Sequence, residues 1–340
     1  MKNSWLMGAY ISVIGACNYN CIYCSASKQI ASNDMLSYED FLKIIEIFRE
    51  KKLCKLSITG GEPFLHKDIE KIIETAVHNF SVTVLTNGSL LESHSKFLGN
   101  LPNKNRLRFS VSLDASTPEK NAKTRGVNAF QRTLKGIELL VKLGYNVNVL
   151  CTLTSVFDIG ELEQLAKLTH KCGAKQLQLT PLQPSGYGKN IFDDFRPSSH
   201  LLTNILQIVP EVSNNSHMNI GVGFGKCYDD TFDKKKNYNL LPCKAGITQI
   251  SVASNGDVYP CNALNIYMGN ILKQSIDFIM NDSEGAKRIQ YITCQTIKEH
   301  SLCNKCDYNE KCTGGCRGIG HGYFDDVLAP DIYCDRIHLD

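Results

Sequence analysis

Cys17-Asn18-Tyr19-Asn20-Cys21-Ile22-Tyr23-Cys24 places three cysteines within eight residues, separated by three residues and then by two. Thiolates spaced this closely on one loop are the usual way to hold an iron–sulfur cluster. A [4Fe–4S] core has four irons, so three thiolates leave one iron open to another ligand. A zinc site is the alternative for clustered cysteines, but zinc takes four ligands and no His or Cys follows nearby to complete the set. A disulfide framework fits poorly, because the 15 cysteines are odd in number and the chain shows no signal-peptide pattern.

Working outward, residues 9–14 (Ala-Tyr-Ile-Ser-Val-Ile) read as a strand that feeds this loop. Short β-branched runs then alternate with amphipathic stretches. Strands are expected at 55–59, 81–86, 108–113, 146–153 and 176–180, and helices after Ser37, over 68–79, 130–143 and 162–171. Phe41, Leu42, Ile44, Ile45 and Phe48 form the apolar repeat of the first helix. Six strands alternating with helices predict a parallel α/β sheet, whose sites lie at the C-terminal ends of its strands.

Those ends carry polar motifs. Gly60-Gly61-Glu62-Pro63 follows the second strand; paired glycines allow close backbone approach and a carboxylate can meet an ammonium. Thr86-Asn87-Gly88 ends the third strand, with a plain Asn-Gly turn as the alternative. In the fourth, alternation puts Ser110, Ser112 and Asp114 on one face, a polar row unusual for a parallel strand. Cys54, Cys151 and Cys172 sit in strand or helix contexts and are expected in the core.

Past the sixth strand the rhythm breaks, and residues 214–242, with the run Lys234-Lys235-Lys236, show no clean period. A second cysteine group follows. Cys243 and Cys261 flank a hairpin expected to turn on Asn255-Gly256, and then come Cys303, Cys306, Cys312, Cys316 and Cys334.

The CxxxCxxC loop with an aromatic before its last cysteine, followed by the Gly-Gly-Glu-Pro turn, resembles the radical S-adenosylmethionine (SAM) enzymes. The seven later cysteines, in the pattern CxxC-x5-C-x3-C with Gly-x4-Cys before it, resemble the SPASM extension of that family. The resemblance implies a partial (β/α)6 barrel with a small C-terminal cysteine-rich domain of hairpin, helices and loops. It divides the chain into a core at 1–215, a linker at 216–242 and an auxiliary-cluster domain at 243–340. It implies three [4Fe–4S] clusters and SAM as cofactors. Cys17, Cys21 and Cys24 would hold the SAM-binding cluster, Cys303, Cys306, Cys312 and Cys334 a distal one, and Cys243, Cys261 and Cys316 a nearer one. Either Cys227 would be the nearer cluster's fourth ligand, or that iron is open to water or substrate and Cys227 is a thiol returning a hydrogen atom to a substrate radical; Cys294 is a weaker candidate for either role. The resemblance further assigns Gly60, Gly61, Glu62 and Pro63 to the SAM amino group, Arg125 to its carboxylate, Tyr23 to the cluster and adenine, and Asn87, Ser112 and Asp114 to SAM contact.

The activity implied is reductive cleavage of SAM to a 5′-deoxyadenosyl radical and abstraction of a substrate hydrogen. The substrate class expected is a ribosomally made peptide, cross-linked through a thioether or carbon–carbon bond or epimerised. The alternative is dehydrogenation of a small molecule such as an aminocyclitol. Sulfatase maturation is disfavoured, because Asn262 stands where those relatives place an Asp base and a neutral amide cannot accept the proton. A non-enzymatic iron–sulfur carrier would leave the Gly-Gly-Glu-Pro turn and the open triplet without a purpose.

A one-electron donor of the flavodoxin or ferredoxin kind is an expected partner. Only about eight residues precede the first strand, so any peptide-recognition domain would be a separate protein. With 43% hydrophobic residues, a formal charge of +3 and no 18-residue apolar run, the expectation is a cytoplasmic protein with neither nucleic-acid nor membrane partners.

Overall fold

The computed structural model describes residues 6–25, 34–223, 243–310, 312–334 and 336–337; Cys227 and the 234–236 lysine run lie outside them. Seven strands run parallel in chain order: β1 (Gly8–Ser12), β2 (Lys55–Thr59), β3 (Ser81–Thr86), β4 (Leu107–Ser112), β5 (Asn146–Leu153), β6 (Gln176–Pro181) and β7 (Asn219–Val222). Helices make the crossovers: α1 (Tyr38–Glu50), α2 (Ile69–Asn79), α3 (Pro118–Arg125), α4 (Ala129–Lys142), α5 (Ile159–Lys171) and α6 (Ser199–Ser216), with a short turn of helix at Ser95–Asn100.

Each crossover helix buries one face. In α1 the Ser37 hydroxyl caps the first turn by accepting from Asp40 N at 3.0 Å, and Phe41, Ile44, Ile45 and Phe48 point into the core. Leu42, expected with them, is exposed, because it lies off that stripe. The strands bury alternate residues: Leu56 and Ile58 in β2 are inaccessible, while Ser57 and Thr59 are half-buried on the other face. That other face lines a cavity reached by residues from the ends of β1 through β6. A flat sheet could not bring its first and sixth strands to one cavity, so the sheet curls into a partial (β/α) barrel.

Two features depart from the sequence pattern. Residues 219–222, expected within a linker, form β7, which pairs with β6 from Gln176↔Asn219 to Leu179↔Val222. The expected hairpin is present as β8 (Gln249–Val252) and β9 (Asp257–Tyr259), turning at Gly256 with φ +87°. It also extends the barrel: β8 lies parallel to β1, from Gly8↔Gln249 to Ile11↔Val252, and β10 (Gly269–Asn270) completes the order β10-β9-β8-β1-β2-β3-β4-β5-β6-β7. The open edge of β1 is thereby covered. Two further helices follow, α7 (Glu284–Cys294) and α8 (Arg317–Phe324), with turns and, among the described residues, no strand between them. Among the described residues no helix is long and apolar enough to cross a membrane.

Candidate active site and cysteine centres

β1 ends at Ser12, and the chain crosses the barrel mouth as the cysteine loop. Ile22 N donates to Thr124 O at 3.0 Å, Cys24 O accepts from Tyr187 N at 3.0 Å, and Ala16 O accepts from Glu62 N at 2.8 Å. The last contact explains the two glycines. A Cβ on Gly61 would lie 2.1 Å from Ala16 O, and one on Gly60, at φ +154°, 2.4 Å from Ile14 O. Only glycines let the end of β2 press against the loop this closely.

Cys17, Cys21 and Cys24 line one cavity of about 370 Å³ with Tyr23, Gly60, Gly61, Asn87, Ser112 and Arg125. The structure brings these residues together from five separate segments. Pro63, Glu62 and Asp114 lie behind the wall. The Glu62 carboxylate, 0% exposed, accepts from Thr86 Oγ1 at 2.7 Å, Asn87 N at 2.8 Å and Phe64 N at 3.2 Å. Burial raises its pKa, while those three donors pull it down. Its oxygens thus fasten β2's loop to the end of β3. Of the polar row in β4, Ser112 faces the cavity, whereas Ser110 is buried and Asp114 binds protein donors.

Asp114 Oδ2 accepts from Tyr23 Oη at 2.5 Å and from Thr124 Oγ1 at 2.8 Å; Arg125 Nη1 donates to Tyr23 Oη at 2.7 Å. Tyr23 is therefore clamped between an acid and a cation. Burial first, and then the Asp114 charge against the Arg125 charge, keep its pKa well above the usual tyrosine range. Arg125 is 7% exposed, lines the cavity, and has a buried Nε with no partner among the described residues. An N–H buried without an acceptor is costly, and a ligand carboxylate would satisfy it. Burial also raises the pKa of Cys17 and Cys21, with Arg125 opposing it. Cys151, expected in the core, is 1% exposed yet touches the cavity beside Leu150 and Thr152; Cys172 is buried, and Cys54 is exposed.

In the C-terminal third, Cys303, Cys306, Cys312 and Cys334 all line one small cavity. Burial, with Cys334, Cys312 and Cys306 beside it, pushes the Cys303 thiol up to about 11. Thiols crowded in this way ionise together only against a positive core, which is the donor set a cluster requires. Cys243, Cys261 and Cys316 form the other set: burial first, and then Cys243, raise the pKa of the half-buried Cys261, and burial with Asp331 and Cys261 nearby pushes Cys316 up to about 12. Among the described residues no three Cys, His, Asp or Glu side chains converge as they would on a single metal ion. Cys294, at the end of α7, is exposed.

A second chamber, about 710 Å³, lies between the 184–190 segment and the residues around β8, β9 and α8. It shares Ser25 and Asn262 with the first cavity and is walled by Lys189, Asn190, Tyr259 and His321, among others. Neither this chamber nor the roles of Thr152 and Gln183 in the first cavity could be read from the sequence, where such residues carry no motif; only their position after strand ends hinted at them.

Residues 11–169 match the radical SAM superfamily and residues 243–307 match the SPASM iron–sulfur cluster-binding domain. A probable GTP 3′,8-cyclase of Pyrobaculum aerophilum is 30% identical over 262 residues, covering 72% of this chain and 80% of the relative. The AdoMet-dependent heme synthase of Methanosarcina barkeri is 26% identical over 336 residues, 94% of this chain and 93% of the relative. The subtilosin biosynthesis protein AlbA of Bacillus subtilis is 25% identical over 316 residues, 88% of this chain and 64% of the relative. Streptococcus suis SuiB bound to its precursor peptide SuiA shares the fold, with a TM-score of 0.78 and 17% identity over 98% of this chain and 76% of that one.

Proposed function

The chain belongs to the radical SAM superfamily, and from that premise we propose that it abstracts a hydrogen from a ribosomally made peptide and so cross-links or epimerises it. The observation that carries the reading is the pair of adjoining spaces. One is lined by the cysteine triplet and the two glycines; the other, larger one is walled by both halves of the chain and opens to the first at Ser25 and Asn262. The names of two relatives, AlbA and the SuiB–SuiA complex, support a peptide occupant. The polar wall of the larger chamber, with Asn190, Asn262 and Asn265, suits a chain of amides.

Cys17, Cys21 and Cys24 would hold a [4Fe–4S] cluster with one open iron, and Cys243 to Cys334 two further clusters, the division of the chain being a core at 1–215 and an auxiliary domain at 243–340. When bound, the first cluster supplies an electron and a chelating iron to SAM. The protein's own residues do the positioning. Gly60 and Gly61 keep β2 against the cysteine loop, and Glu62 ties that loop to β3. Arg125, steadied by Tyr23 and Asp114, presents its free Nε to the SAM carboxylate, and Asn87 and Ser112 offer polar contacts from neighbouring strand ends. Leu150, Cys151 and Thr152 complete the wall of that cavity. Electrons come from an external flavodoxin- or ferredoxin-like donor.

A small-molecule substrate is the second reading, favoured by the names of the cyclase and heme synthase relatives. Anaerobic incubation with dithionite and SAM tests the shared chemistry, with 5′-deoxyadenosine as the expected product. Mass spectrometry on peptides encoded beside the gene then separates the two readings. A peptide that loses a hydrogen pair, or takes up solvent deuterium at one residue, supports the first; 5′-deoxyadenosine formation stimulated only by a small molecule contradicts it.

A further inference from the structure

Arg317 opens α8 directly after Cys316 and is only 3% exposed. Its Nη1 donates to Leu328 O at 2.8 Å and its Nη2 to Gln295 O at 3.2 Å. Both acceptors are neutral, and among the described residues no carboxylate stands within ion-pair distance of the guanidinium. A buried cation without a counter-ion carries a heavy desolvation cost. Arg317 directly follows Cys316 of one C-terminal cysteine set, and Cys312 of the other lies five residues before it.

The chain between Cys312 and Cys316 is folded round the guanidinium. Gly314, at φ +83°, packs so closely that a Cβ there would lie 3.0 Å from Arg317 Nη1, and its N–H donates to Cys312 Sγ at 3.3 Å. A glycine-bearing turn thus wraps one cation between the cysteines expected to hold two separate clusters.

We propose that Arg317 is the shared internal counter-charge of the two C-terminal cluster sites, a positioning residue that raises the reduction potential of the clusters those cysteines hold. This rests on the reading of those cysteines as cluster ligands. Reduction adds a negative charge to a cluster, and a fixed cation in a low-dielectric interior stabilises the reduced form. Arginine suits the task because it keeps its charge when buried.

The test compares wild type, Arg317→Gln and Arg317→Lys as full chains, purified anaerobically and examined without SAM or substrate. Iron and sulfide are counted, and cluster potentials are measured by EPR-monitored redox titration. In Arg317→Gln at least one C-terminal cluster should become tenfold or more harder to reduce, a fall of 59 mV or more for a one-electron couple. Arg317→Lys should retain most of the wild-type value, and the cluster of Cys17, Cys21 and Cys24 should not move. If Arg317→Gln fails to load C-terminal iron while Arg317→Lys loads it, the charge role stands. Equal loss in both variants, or unchanged potentials in a fully loaded Arg317→Gln, would overturn it. A wild type without C-terminal iron would instead overturn the cluster reading itself.

Discussion

In the N-terminal half three cysteines ride on one short loop hung from β1, and hydrogen bonds to Glu62, Thr124 and Tyr187 fix that loop to the barrel. In the C-terminal third four cysteines spread over residues 303–334 close on a small cavity, backed by an apolar cluster whose buried members are Ile297, Cys303 and Cys312. The first region owes its shape to a ten-stranded sheet and a large core and only presents its thiols. The second has little apolar material of its own, so a bound metal core would contribute to its folding. A reactive centre needs room and an open position, which the barrel mouth provides. A centre that only passes electrons can be closed on all sides.

The largest expected effect comes from breaking the first region's chemistry while sparing its fold. Changing Cys17, Cys21 and Cys24 together to Ala should abolish 5′-deoxyadenosine formation, yet leave about eight of roughly twelve iron atoms and the thermal transition of the barrel in place. Residual SAM cleavage by this variant would refute the assignment of the triplet.

Iron removal should separate the two regions. After anaerobic chelation, amide exchange over residues 297–334 should rise by orders of magnitude, while β1 to β6 stay protected, because the barrel's core needs no metal. Equal exposure of both would erase the contrast drawn above.

Arg125→Ala should raise the apparent KM for SAM by roughly 10- to 100-fold, the loss of a charge-assisted contact of about 1.5–3 kcal/mol, with kcat less affected. Steady-state 5′-deoxyadenosine formation measures it. The smallest effect is expected at the seam between β2 and the cysteine loop. Gly61→Ala must displace Ala16 O from 2.1 Å and should cost about 1–3 kcal/mol of stability, read from denaturant unfolding of the iron-free protein.

How far the sequence carried follows the same division. Strands β1 to β6 were legible because each is a short apolar run separated from the next by a helix-period stretch. β7 was not, since Asn219-Ile220-Gly221-Val222 is too short and polar to stand out and gains its identity only from β6 beside it. The hairpin of β8 and β9 was readable from Asn255-Gly256, but its parallel pairing with β1, more than two hundred residues earlier, is a tertiary choice. In the site, the cysteine triplet, the glycines and Arg125 were placed on the cavity by motif. For Glu62 and Asp114, the motif could not reveal the neighbouring N–H and O–H groups that their carboxylates also accept from. The grouping of the four cysteines around the distal cavity came from the family resemblance, since spacing alone does not say which of the later cysteines meet.

The account stands or falls on both regions holding clusters. Iron and acid-labile sulfide counted on anaerobically reconstituted protein test this most directly. About twelve iron atoms and as many sulfides per chain are predicted. About four of each, with zinc or free thiols accounting for the C-terminal cysteines, would contradict it.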